Sequence, residues 1–244
     1  MKLFNKVRQR LLDEGRLKRY LVYAAGEIVL VVVGILIALQ LNAWKSDVKD
    51  RSLEQTYLWN LRDDLVLQQE IIEDQIAHEA SKVVLADSAM ACFMSGCPLD
   101  VLEDLLTGAG KLYQRKTFIA NQPTFNDLVS SGNMALLRDV KVKAELMRYH
   151  QELELQATVI NTNNRLLIDQ QFGQSMMGNA LGFVLNEHGD VDNTQRLNGA
   201  QRYSLRTLLR MRKRISELHR DRCMALQEHT GTMIALLDMS IKQD

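Results

Sequence analysis

The chain has 244 residues, of which 46% are apolar and 25% charged, both ordinary for a globular protein. Its formal net charge is zero, so the chain as a whole gives no electrostatic case for nucleic acid. Two prolines and 13 glycines make about 6% of the residues, roughly half of average usage, and such scarcity of breakers points to long helices.

The charge is unevenly placed. Residues 1–19, "MKLFNKVRQRLLDEGRLKR", hold seven Lys/Arg against Asp13 and Glu14, a net of +5, so the rest carries −5. This basic segment is expected to stay in the cytoplasm, with residues 20–44 as a transmembrane helix and 45–244 as an extracytoplasmic helical domain. From Leu21 to Leu39 there are 19 residues with one charge. About 20 helical residues cross a hydrocarbon core of about 30 Å. Tyr20 and Tyr23 at one end and Trp44 at the other take aromatic-belt positions. A cleaved signal peptide competes with this reading, but its basic region would be unusually long and no A-x-A site follows. A buried helix of a soluble protein is the other alternative.

The one charge in the span is Glu27. It shares a stripe with Val31, Gly34, Ala38 and Leu41, spaced 4-3-4-3, and the two small residues permit close approach of a second membrane helix. Three readings stay open: a carboxylate near the inner headgroups reaching Arg16, Lys18 or Arg19; a self-association face; or an ion-coupling group.

The run "RYLVYAAGEIVLVVVGILIALQLNAW" resembles the N-terminal signature of a family of bacterial single-span membrane proteins without established activity. The features are Gly26, Glu27 and Ile28, then Gly34 to Gln40, then Asn42 and Trp44. A second patch, "PTFNDLVSSGNMALLRDVKVKAELMRYH", is similar to the family's Tyr-x-x-Leu-x-x-Ser-Gly-Asn segment, with Phe125 where the family usually has Tyr. The resemblance implies a membrane anchor with a helical outer domain and supplies no catalytic residues.

Past Trp44 no Gly or Pro occurs until Gly96, and Leu53, Tyr57, Leu58, Leu61, Leu65, Ile72, Ile76 and Val83 form one apolar stripe. The membrane helix is thus expected to run on to about Met94. A short helix near Asp100 to Leu106 and a loop through Gln122 follow. "PTFNDLVSSGN" reads as a further short helix, with Thr124 and Asp127 at capping-box spacing and Gly132 or Asn133 at its left-handed end. Asp139 can cap a long helix carrying Val142, Leu146, Tyr149, Leu153, Ala157, Ile160 and Leu167, ending near Gln171. Residues 172–198 read as a loop. A last helix from about Ala200 to Lys242 carries Leu208, Met211, Ile215, Leu218, Leu226, Met233 and Leu237. The expected fold is all-α, an antiparallel helical bundle with three long helices of coiled-coil character.

Chemical signals are sparse. Cys92 and Cys97 are a candidate disulfide, against free cysteines or pairing with Cys223. His219 and Cys223 stand four apart on one helix, a metal-compatible spacing without further ligands nearby, so no metal is expected. His78, His150, His188 and His229 are isolated. Asp63, Asp64, Glu70, Glu73 and Asp74 form an acidic face, and "RTLLRMRKR" a basic one, expected to be solvated and to match each other. Ser130, Ser131, Gly132 and Asn133 form a polar turn that is either a binding loop or a helix stop. No nucleophile or phosphate-loop motif is found. The sequence predicts a membrane-anchored interaction module of the cell envelope, a homo-oligomer or a docking partner of another envelope protein. It predicts no enzyme, no cofactor and no nucleic-acid partner. A sensor or ion-coupled subunit using Glu27 is the alternative.

Overall fold

The computed structural model describes residues 16–96, 98, 101, 112–175 and 199–243, and it divides the chain into two units, Met1–Glu54 and Gln55–Asp244. The described residues are helical or irregular, with no strand among them. Four α-helices have both ends among the described residues: α1 (Arg16–Ser95), α2 (Pro123–Ser130), α3 (Val140–Asn163) and α4 (Gly199–Gln243). A 3₁₀ turn (Asn133–Leu136) follows α2, and a π-helical stretch (Asn164–Gly173) prolongs α3.

α1 is long because nothing stops it. Gly96 does, at φ 70°, a left-handed end that a side chain would strain, with Pro98 beyond. In the first unit the Leu, Val and Ile side chains of α1 from 21 to 41 lie at the surface, from 47% exposed at Val32 to 74% at Leu30. Among the described residues this is the one helix long and apolar enough to cross a membrane.

The second unit has its own core. Along α1, Leu58, Leu61, Leu65, Gln68, Ile72, Gln75, Glu79, Lys82, Ala86 and Ala89 are all buried, in strict alternation of three and four. That is the spacing of a coiled-coil seam. Ion pairs fix the register with α4: Arg62 to Asp238 at 2.7 Å near one end and Lys213 to Asp87 at 2.7 Å near the other. α4 is therefore antiparallel to this part of α1. It is also antiparallel to α3, since Tyr149 meets Thr230 and Asn163 meets His219. α1 and α3 consequently run parallel, and the chain between them must travel back along the helices.

Leu112–Gln122 makes that return as an extended strap rather than a helix. Asp139 caps α3 as expected, accepting from the backbone N–H of Lys141 and Val142 at 2.7 and 3.2 Å. Beyond Ile160 the buried positions are Asn164, Ile168 and Phe172, four apart. Repeated steps of four drift around an α-helix, and the wider π turn keeps them on one face.

Several expectations are corrected. Thr124 and Asp127 form no capping box: the cap position is Gln122, without a side-chain bond, and Pro123 begins the helix. Asp64 reaches across from α1 to take the Thr124 N–H at 2.9 Å, and Asp127 is engaged by Tyr57. Leu218 and Leu53 are exposed, at 40% and 37%. Phe172 is a core residue, not a loop residue. Helix α3 with its π extension continues past Gln171. The expected helix at 100–106, apart from Val101, and most of the expected loop at 172–198, with His188, lie outside the described residues.

Candidate functional site

Two apolar clusters fill the second unit. The larger includes Leu61, Leu65, Leu146, Leu153, Leu226 and Leu237; the smaller joins Ala86, Ala89, Leu112, Phe172, Leu205 and Leu209. Between them the seam positions turn polar. Glu79, Arg212 and His219 all have essentially no exposed side chain. Glu79 Oε1 accepts from Gln75 Nε2 at 3.0 Å and faces His219 Nδ1 at 3.3 Å, while Arg212 Nη1 stands 3.7 Å from Glu79 Oε2. His219 Nε2 lies 3.2 Å from the Asn163 amide. A further Arg212 bond goes to the Ser216 hydroxyl. A buried charge of this kind persists only when paired and hydrogen-bonded.

Arg212 also reaches the strap, donating from Nε to the Leu112 carbonyl at 2.9 Å and from Nη2 to the Gln114 carbonyl at 3.2 Å. The contacts continue at every second residue as far as Phe118. Asn164 Nδ2 donates to the Lys116 carbonyl at 2.8 Å. Asn161 clasps Phe118, taking its N–H and donating to its carbonyl, both at 2.9 Å. Gln68 Oε1 accepts the Asn121 N–H at 2.6 Å. Side chains of α1, α3, its π-helical extension and α4 thus bind the main chain of an extended segment, with the period of a β-strand from Leu112 to Phe118. Such bonding satisfies backbone groups that a strap among helices would otherwise bury unpaired.

The environment moves several ionisable groups. Burial alone would raise the Glu79 carboxyl, but the His219 hydrogen bond, the Arg212 charge and the Ser216 hydroxyl together hold it below the ordinary carboxylate value. Burial lowers His78, with Glu79 opposing and Lys82, Arg212 and Lys116 assisting. Burial also lowers His150, whose ring stacks on Phe125 at 3.6 Å between centroids. The Cys223 thiol is pushed up to about 12 by burial and by Glu79, so it is an inert thiol rather than a nucleophile.

The family model described as a family of unknown function, DUF6090, matches residues 27–152. The chain belongs to this family. The DUF6090 match takes in α1 from Glu27 onward, with Gln68 and Glu79, the strap and α2. Asn161, Asn164, Arg212 and His219 lie beyond it. No curated protein and no solved structure matches the chain.

The sequence-predicted residues are distributed as follows. Val31 and Leu41 of the membrane stripe are exposed, and a Cβ added at Gly34 would meet nothing within 4 Å. Glu27 and Ala38 are exposed with them. Cys92 is disulfide-bonded, Cys223 is a free buried thiol, and Cys97 lies outside the described residues. Ser130 and Ser131 donate to the Asp127 carbonyl at 3.3 and 2.6 Å, and Gly132 adopts φ 74°. Asn133 donates to the Tyr57 hydroxyl at 2.7 Å, and that hydroxyl donates to Asp127 at 2.8 Å. These bonds end α2 and hold it to α1. The metal-compatible His219 and Cys223 are both buried, and no metal-binding cluster occurs among the described residues.

The basic run does not face the acidic one. Antiparallel register sets residues 206–214 against the end of α1, where Lys213 meets Asp87, while Asp74 pairs with Lys116 of the strap. Arg212 leaves the solvated face altogether. An apolar stripe does not reveal it, because a charged residue reads as a break in the stripe. The signal was present: Leu205, Leu209, Arg212, Ser216, His219, Cys223 and Leu226 continue one three-and-four stripe.

Proposed function

We propose that the chain is a membrane-tethered helical interaction module of the bacterial cell envelope. In this reading residues 1–19 are cytoplasmic, 20–44 cross the inner membrane once, and 45–244 lie on the periplasmic side, where the module self-associates or docks another envelope protein. The observation that carries it is the apolar stretch of α1, which has every described Leu, Val and Ile from 21 to 41 at the surface. In water that much contiguous apolar area is strongly unfavourable, at about 25 cal/mol per Å². A bilayer removes the penalty. The basic flank supports the orientation, and the disulfide at Cys92 supports an oxidising compartment.

The open stripe of Glu27, Val31, Gly34, Ala38 and Leu41 supports helix–helix contact within the membrane. Protease added to spheroplasts is expected to digest residues beyond 45 and to spare them in intact cells. Protection in spheroplasts, or recovery of the full-length chain in the soluble fraction, would overturn the reading. Crosslinking in intact cells is expected to capture a second copy or an envelope protein, and Glu27→Gln to leave that capture intact. Loss of a proton-dependent activity in Glu27→Gln would favour an ion-coupled subunit instead.

A further inference from the structure

The strap is bound as a peptide ligand is bound. Four successive even-numbered carbonyls, those of Leu112, Gln114, Lys116 and Phe118, accept from side chains of α3, its π-helical extension and α4. Main-chain contacts of this kind fix direction and extension of a segment without reading its sequence. Selectivity comes from what the side chains meet. Leu112 and Phe118, six residues apart, are both buried, one in each apolar cluster. Between them Arg115 pairs with Asp169 at 2.8 Å and Lys116 pairs with Asp74. The groove also has unused polar capacity: Gln68 Nε2 and Asn164 Oδ1 are fully buried and find no hydrogen-bond partner among the described residues.

We infer that the groove between α1, α3 and α4 is a main-chain-reading peptide site, closed in this chain by its own strap. Its ligand in trans is an extended protein segment with two apolar anchors six residues apart and a basic pair between them. The strap is a pseudo-ligand that a matching segment displaces. The anchor spacing and the two carboxylates, Asp74 and Asp169, define the partner's chemistry. The inference rests on the reading of this unit as an interaction module and names the surface it would use.

The test uses the full chain in detergent and a fluorescent synthetic peptide with the strap's sequence, LYQRKTFIANQ. The wild-type groove is filled and is expected to bind the peptide weakly. Phe118→Ala empties one anchor pocket and is expected to bind it at least about tenfold more tightly. Adding Asn161→Ala to that variant, which removes the clasp, is expected to abolish the gain. A folded Phe118→Ala chain that does not bind overturns the proposal. So does binding that a scrambled peptide matches.

If Phe118→Ala fails to fold, hydrogen exchange on the wild type decides. The amides of Phe118 and Asn121 are expected to exchange by local opening, well ahead of Leu153 in the middle of α3. Equal protection means that the strap leaves only when the unit unfolds, and the proposal fails. None of these measurements depends on membrane topology, so failure here and a misplaced tether are separate results.

Discussion

One helix carries two opposite patterns. In the first unit α1 shows apolar side chains outward, with Leu30 74% exposed; in the second it buries Gln68, Gln75, Glu79 and Lys82. The backbone is the same, so the difference lies in what surrounds the helix. An outward apolar surface suits a hydrocarbon solvent, in which helix faces gain nothing by turning inward. A buried charge suits a folded unit in which partners are fixed in advance, because the cost of desolvation is met only by specific donors and acceptors. Composition alone would assign the greasy part to a core and the charged part to a surface.

The sharpest way to test this contrast is to remove the guanidinium. Arg212→Met strands the Glu79 carboxylate and two strap carbonyls, and is expected to destabilise the second unit by about 3–5 kcal/mol. The measurement is chemical denaturation in detergent. Glu79→Gln combined with Arg212→Met is expected to recover part of that loss; a double variant as unstable as the single one would mean that Glu79 is not the stranded group. Asn161→Ala comes next, removing both bonds to Phe118, for about 2–3 kcal/mol. Tyr57→Phe deletes the hydroxyl that joins Asp127 and Asn133, for about 1–2 kcal/mol.

The pH profile probes the second unit without mutation. His78 and His150 titrate below their ordinary value of 6.5 in the folded chain. The unfolded state therefore takes up protons first, and stability falls as pH drops below that value. Glu79, also held low, contributes stability above its ordinary value of 4.5, lost as acid protonates it in the fold. Unfolding midpoints measured from pH 7 to well below the ordinary Glu value of 4.5 are expected to decline in that order. The smallest effect belongs to the first unit. Gly34→Leu fills the membrane stripe and is expected to reduce crosslinking between copies while leaving the denaturation midpoint of the second unit unchanged. A shifted midpoint would join the two halves of the comparison.

How much of this was legible in the sequence follows from what each feature is made of. The length of α1, the Asp139 cap and the Gly132 turn were readable because they depend on local backbone chemistry. Core positions such as Leu146 and Leu153 were readable because apolar residues repeat at helical spacing. Glu79, Arg212 and His219 were not, although they hold the same spacing, because a charged residue on a stripe looks like a break in it until its partner is known. That partner is more than a hundred residues away. Thr124 and Asp127 misled in the opposite sense: they have the spacing of a cap, yet Asp64 of another helix does the capping. The strap left no pattern at all, since its ties run to backbone atoms that every residue possesses.

Arg212 also sets an order of events. Its strap contacts join positions 98 and 100 apart in sequence, and Glu79 lies farther still. Synthesis proceeds from the N-terminus, so the polar layer stays incomplete until the last helix has emerged. Until then Glu79, Lys82 and the carbonyls of the strap must remain hydrated, and the rest of the unit cannot close over them. A ribosome stalled within α4 before codon 212 would leave a half-built domain open to proteases. The last helix thus acts as the keystone.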